Sequence, residues 1–396
     1  MKAHQAQYVP GLDLLRFFAA CIVMVFHLTF WSWAFPAGQV ALASHGAADF
    51  QDWDTFWDTF APFGWAGVQI FFVISGFVIV VSAERSSAFR FFVSRFTRLA
   101  PAVWICATIA LLAWLLVDAG MRPLSLLAMY VRSVAFFPTG AWIDSVYWTL
   151  GVEICFYALM FVLLLIDRQR WIKPLMCGIG LISTLFWIGY TLAAQDRHSA
   201  VFELFSEVQW SRLSQLLLIQ HGVFFAFGVL LWSHLLKQRS RWHFAWLTLF
   251  AIGGCLQIAG ESLLKLEKTG MSFSPLTPCV IWLTAMLFFW IVVANNARVQ
   301  QLPTWCLQLL RRLGLMTYPL YLLHSVTGGA LLGALVESGI PIEVALASSV
   351  TMVMALSWWI SKAPEPALQK STRALLEAMR ARWQGTHSGA EVRDTG

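Results

Sequence analysis

The stretch GLDLLRFFAACIVMVFHLTFWSW, residues 11–33, decides how this chain reads. A bilayer core of roughly 30 Å takes about 20 apolar residues as a helix, and this run is long enough. A plain anchor would not carry Asp13, Arg16 and His27 within it. Arg16 and His27 are eleven residues apart. At about 100° per residue they share one helix face, separated by a rise of roughly 16 Å. Arg16 then belongs near one membrane surface and His27 near mid-depth on the same stripe. An ionisable group held at that depth marks a functional site by default. The plainer reading is a snorkelling arginine and a polar residue satisfied inside a helix bundle.

The rest of the chain supports a membrane reading. Its 396 residues are 59% hydrophobic and 12% charged, with a mean hydropathy of +0.67. That charge fraction is about half the usual soluble share of roughly 25%. Twenty-one Trp and 31 Phe suit lipid contact and interfacial belts. The fold class expected is all-α, a polytopic membrane bundle. A net charge of +6 would point a soluble protein towards nucleic acid. Here the cytoplasmic excess of Lys and Arg explains it, so no nucleic-acid partner is expected. Seven cysteines lie in or beside apolar runs without a CxxC spacing, which reads as buried small hydrophobes and not as disulfides or a metal site. The first run carries charges and is too long for a cleaved signal, so it stays as the first span.

Apolar runs place ten spans at about 12–33, 62–82, 99–117, 146–166, 171–194, 215–236, 242–260, 276–294, 312–336 and 341–361. Residues 83–98 read as an interfacial amphipathic helix, and Pro101 as an early residue of the helix that follows. The loop 34–61 interleaves Trp53 and Trp57 with Asp49, Asp52, Asp54 and Asp58. It is either a sugar-stacking surface or an ordinary solvated loop. Residues 1–362 form the expected membrane domain and 363–396 a polar tail, with an amphipathic helix at 370–383. Ten spans put both termini on one side, and 21 of the 27 Lys and Arg fall there. The positive-inside rule makes that side cytoplasmic.

Topology then gives depths. His27, Ser75, Glu153 and His324 come from four different spans and all fall in the middle or outer-middle of the bilayer. Glu153 is the one acidic residue well inside a span, and His27 is its natural partner. A His–carboxylate pair suits a general base, because the carboxylate orients the ring and stabilises its protonated form. A structural bridge between two helices is the alternative. Thr317, Tyr321, His324 and Gly328 make one small-sided stripe, lining either a cavity or a helix contact. His221 reads as a satisfied core histidine. Arg16, Arg95 and Arg98 gather at the cytoplasmic surface, where guanidinium groups suit the phosphates of a ligand or of lipid headgroups.

These residues fall in motifs that resemble the acyltransferase-3 family of integral membrane acyltransferases. Arg16, ten residues, then His27 is the anchor. GVQIFFVISGF at 67–77 contains Ser75, and RFTRLAP at 95–101 holds an arginine pair before a proline. YWTLGVEICFY at 147–157 contains Trp148 and Glu153, and TYPLYLLH at 317–324 contains Tyr321 and His324. Each is weak alone in an apolar sequence, but together, in order and on the right spans, they are specific. Leu14 stands where many members have Gly, and Thr149 where many have Ser. So few residues follow the last span that the chain looks like a stand-alone member, without the fused extracytoplasmic domain of some relatives.

The resemblance implies transfer of an acyl group, most often acetyl, from cytoplasmic acyl-CoA to a hydroxyl of an extracytoplasmic or lipid-linked carbohydrate. It implies a bacterial inner-membrane location, with acyl-CoA as donor substrate and no bound cofactor. A homo-oligomer is left open. On this reading Arg16, Arg95 and Arg98 dock the CoA phosphates. His27 is general base or acyl carrier, oriented by Glu153. Ser75, Tyr321 and His324 line the tunnel or face the oxyanion, and Asp13 and Trp148 support the site. The alternative class is a transporter with an intramembrane His/Glu proton relay.

Overall fold

Apolar length sets the architecture, since every backbone group inside a bilayer has to be satisfied within its own helix or a closed barrel. The computed structural model describes residues 8–45, 61–84, 86–117, 120–237, 240–271 and 274–391, with side chains described except at 266 and 383–391. Among the described residues all regular structure is helical. Trp53, Trp57 and the interleaved aspartates of the proposed sugar-stacking loop lie outside them.

The helices are α1 (Pro10–Ala34), α2 (Ala61–Ala83), α3 (Ala88–Leu116), α4 (Pro123–Val134), α5 (Ser145–Leu165) and α6 (Gln169–Ala193). They continue with α7 (Ala200–Trp210), α8 (Gly222–Lys237), α9 (Arg241–Thr269) and α10 (Leu276–Ala294). The last four are α11 (Thr304–Leu323), α12 (Val326–Glu337), α13 (Ile342–Lys362) and α14 (Pro364–Glu391). Among the described residues, eight helices are long and apolar enough to span, and the bent pair α11–α12 makes nine. The expected span at 215–236 is α8, which is shorter. Its stretch Gly222–Trp232 is buried along its whole length. It is shielded by α2, α6 and α9.

Three helices depart from the sequence reading. The interfacial helix and third span are one continuous helix, α3, with Pro101 in its interior. The proline's missing N–H costs one backbone hydrogen bond but does not end the helix. α9 runs to Thr269, well past the expected end near 260. α11 stops at Leu323, with His324 as its C-cap, and α12 leaves at a 69° bend. Gly328 is therefore carried off the stripe that Thr317 and Tyr321 share. At the bend, Asp144 Oδ2 accepts the Val326 amide at 2.8 Å and its Oδ1 accepts the Val146 amide at 3.1 Å. One buried carboxylate thus caps two chain segments. Burial pushes its pKa up to about 6, against the pull of those two amides.

Close packing of α2 on α8 positions the site. A Cβ on Gly76 would lie 2.3 Å from the Phe225 carbonyl oxygen, and one on Gly228 2.1 Å from that of Val73. Only glycine lets the two backbones approach so closely. α1 packs on α2, α10 and α11, and α14 lies along α3. All seven cysteines are free; Cys106 is buried and the other six are half-buried.

Candidate active site

Two cavities meet where α1, α2, α5 and α11 converge, and the expected site residues other than Asp13 and His324 line one or both of them. The smaller, about 130 Å³, is lined by Arg16, Ser75, Arg95, Arg98, Glu153, Tyr157, Tyr318 and Tyr321. The larger, about 520 Å³, is lined by His27, Trp31, Gln39, Trp65, Gln69, Trp142, Trp148, Arg212, Glu261, Lys265, Lys268 and Tyr321 among others. Val68 and Tyr321 line both and form the partition.

In the arginine chamber, Arg16 reaches Asp13 on its own helix at 3.5 Å, and Asp13 also accepts the Tyr8 hydroxyl at 2.7 Å. Arg95 donates to Ser94 at 3.0 Å and to Ser82 at 3.4 Å, and its buried Nε has no partner. Among the described residues no carboxylate lies within 4 Å of Arg95. Arg98 is more committed, paired to Glu365 of α14 at 3.3 Å and set 5.6 Å over the Tyr318 ring. The start of the polar tail thus packs against the bundle through a buried glutamate. Glu153 Oε1 accepts the Ser75 hydroxyl at 2.8 Å and the Tyr157 hydroxyl one turn further along α5.

The expected His27–Glu153 pair does not form. Glu153 faces the arginine chamber and its Oε1 is taken by two hydroxyls. His27 finds other partners, on the histidine-chamber side. It lies in a π-helical turn, Phe26–Trp31, within α1. Such turns recur at functional sites because they re-aim side chains. The Nδ1 of His27 is 2.9 Å from the Val23 carbonyl and 3.1 Å from His324 Nε2. The Nδ1 of His324 is 2.7 Å from the Tyr321 carbonyl.

These contacts fix the protons. A carbonyl only accepts, so both Nδ1 atoms carry hydrogen. His324 Nε2 is then a lone pair turned towards the His27 N–H. His27 Nε2 is left as the basic nitrogen of the pair. If it takes a proton, the resulting imidazolium is already held through Nδ1 by an acceptor. That arrangement is what a general base requires. His324 gains its place from the end of α11 and is fully buried.

The remaining candidates are placed as follows. Tyr321 bonds Thr149 through its hydroxyl at 3.1 Å. Trp148 lines the histidine chamber, and its carbonyl accepts from Arg212 at 2.8 Å. Arg212 also donates to the Pro138 carbonyl and to Gln215, and burial lowers its pKa to about 10, still charged at neutral pH. His221 is buried between Phe72 and Trp148, but neither ring nitrogen has a partner, so it is not the satisfied core histidine expected. Among the described residues no group of three or more His, Cys, Asp or Glu gathers in a metal-binding arrangement. Sequence reasoning missed Tyr157, Asp144, Gln69 and the charged end of α9. Only Tyr157 had a signal, one helical turn from Glu153.

A family model described as an acyltransferase domain matches residues 9–362. The chain belongs to this acyltransferase family. It is a multi-pass membrane protein whose motif residues line both chambers. Over 190 residues it is 33% identical to nodulation protein 10 of Rhizobium leguminosarum bv. viciae, covering 42% of this chain and 47% of that protein. Over 129 residues it is 36% identical to the exopolysaccharide production protein ExoZ of Rhizobium meliloti (strain 1021), covering 30% of this chain and 39% of that one. The chain therefore spans less than half the length of these curated relatives. No solved structure matches it.

Proposed function

We propose that the protein is an O-acyltransferase that moves an acyl group, acetyl above all, from cytoplasmic acyl-CoA to a hydroxyl of an extracytoplasmic or lipid-linked carbohydrate. The observation that carries this reading is the His324–His27–Val23 arrangement, which leaves His27 Nε2 basic in a cavity adjoining an arginine-lined one. Family membership supports the reaction class. The word exopolysaccharide in the name of one relative supports a carbohydrate acceptor.

The steps follow from the groups present. The positive-inside count puts the arginine chamber towards the cytoplasm. CoA phosphates dock at Arg16 and Arg95, with Arg98 held back by Glu365, and the thioester arm passes Tyr321 towards His27. His27 Nε2 takes the proton of the acceptor hydroxyl as its oxygen attacks the thioester carbonyl. The C–O bond forms, the C–S bond breaks, and the proton passes from His27 to the departing CoA thiolate. Glu153 holds Ser75 and Tyr157 along the donor path.

The test supplies radiolabelled acetyl-CoA to the cytoplasmic face of sealed vesicles. Wild type is expected to label glycan on the opposite side. His27→Ala is expected to lose about 10²- to 10⁴-fold, the range for removing a general base. Full activity in that variant would defeat the assignment. The broken helix α11–α12 suits a transporter, as intramembrane His and Glu do. Glycan movement without acyl-CoA consumption would favour that reading.

A further inference from the structure

The histidine chamber is built from a different chemistry than the reaction alone needs. Trp31, Trp65, Trp142 and Trp148 line it, and flat aromatic faces stack on sugar rings. Two amide oxygens in its wall are buried without a partner: Gln69 Oε1, on a side chain only 3% exposed, and Gln39 Oε1. The amide nitrogens of both are engaged, by Gln257 at 3.4 Å and by the Trp142 carbonyl at 3.0 Å. Their oxygens are therefore set to accept, and ligand hydroxyls are the donors that fit.

Charge in the same wall is unbalanced. Among the described residues, Arg212, Lys265 and Lys268 line the chamber, and Glu261 is the one carboxylate that does. The Arg212 donors are spent on Pro138, Gln215 and Trp148. Lys265 is half committed, 3.5 Å from Glu261 and 3.9 Å over the Trp65 ring. Lys268, one turn on, lies 5.3 Å over Trp210 and 5.8 Å over Phe35. Among the described residues it has no carboxylate within 4 Å. Lys268, with the half-committed Lys265 one turn before it, is left to meet an anion brought by the ligand.

We infer that this chamber is an acceptor subsite for an anionic sugar, a glycosyl unit bearing a carboxylate or phosphate, with Lys268 meeting the anion and Lys265 assisting. The inference rests on the acyltransferase reading for its ligand class. Sugar hydroxyls donate to Gln39 and Gln69 while the ring stacks on tryptophan, which leaves one hydroxyl to face His27. The end of α9 is thus the specificity element.

The test uses the full chain in lipid nanodiscs and follows tryptophan fluorescence. The probes are a neutral disaccharide, its uronic acid counterpart, and a neutral disaccharide on a short-chain lipid diphosphate. A charged probe is expected to bind about tenfold more tightly than the neutral one at low salt, the scale of one charge-assisted hydrogen bond. The preference should shrink as salt rises. Lys268→Gln should erase it while leaving the neutral probe unchanged. The exposed position of Lys268 leaves folding intact, which a thermal melt checks. Preference for the uronate alone assigns the anion to the sugar; preference for the diphosphate alone assigns it to the lipid carrier. Equal binding of all three, no binding, or a preference surviving both Lys268→Gln and Lys265→Gln overturns the inference. Acetyl transfer to any acceptor in the same nanodiscs, the neutral one included, shows that the acyltransferase reading stands regardless.

Discussion

The two chambers share a wall but differ in how their polar groups are used. The arginine chamber, about 130 Å³, is wired to itself: Ser75 and Tyr157 converge on Glu153, and Arg98 is held by Glu365. The histidine chamber, about 520 Å³, keeps amide oxygens without a partner and, among the described residues, a lysine with ring contacts but no carboxylate within 4 Å. A narrow cavity whose unspent groups are donors, Arg95 Nε and the Tyr318 hydroxyl, suits an anionic ligand of fixed shape. A roomy one with unspent acceptors suits ligands that differ in detail. The contrast teaches that donor recognition and acceptor choice are separable in this bundle, divided at Val68 and Tyr321.

That division is open to attack by mutation. Among variants that probe the division, the largest expected effect is from His324→Ala, which removes one of the two acceptors behind His27 and leaves the Val23 carbonyl. A hydrogen bond to a charged group contributes about 1.5–3 kcal/mol, so kcat should fall roughly 10- to 100-fold. The acyl-CoA KM should not move. A shift in donor KM without loss of kcat would mean that the chambers are not separate. Next comes Arg95→Ala, expected to raise the acyl-CoA KM about tenfold while sparing the acceptor KM, read by steady-state kinetics with each substrate varied in turn. The smallest is Tyr321→Phe, which removes the hydroxyl's bond from Thr149 and its longer one to the Val146 carbonyl, 3.4 Å. About 1 kcal/mol, or roughly fivefold in kcat, is expected. Equal changes in both KM values would make Tyr321 a true boundary; a change in one alone would assign it to that side.

The division itself was not legible in the sequence, although most of its members were. Arg16, His27, Ser75, Glu153, Tyr321 and His324 were readable as polar groups within apolar runs, Arg95 and Arg98 as surface cations of an interfacial stretch, and the depths of His27, Ser75, Glu153 and His324 followed from helix rise. Their pairing was not. Helical spacing reports faces along one helix, but which faces meet depends on packing, and Glu153 faces Ser75 while His27 faces His324. The π-helical turn at Phe26–Trp31 left no mark in composition. The break after Leu323 has neither Gly nor Pro at it, and Pro319, four residues earlier, sits within the helix. The end of α9 was read as a loop because Glu261, Lys265 and Lys268 are charged. They stay helical because one face of that end lines a polar cavity, where pairing and ring contacts receive the charges.

Asp144 has a consequence for how the chain is made. It caps Val326, 182 residues further on. During synthesis that carboxylate emerges long before the half-helix it receives. Until α12 arrives, Asp144 Oδ2 has no Val326 amide from which to accept. The bend in the late pair is therefore a closing step of assembly, made on a template laid down in the first half of the chain. The geometry around His324 is among the last to be completed, so a protein stalled before residue 326 holds both arginine and histidine motifs yet has no finished base.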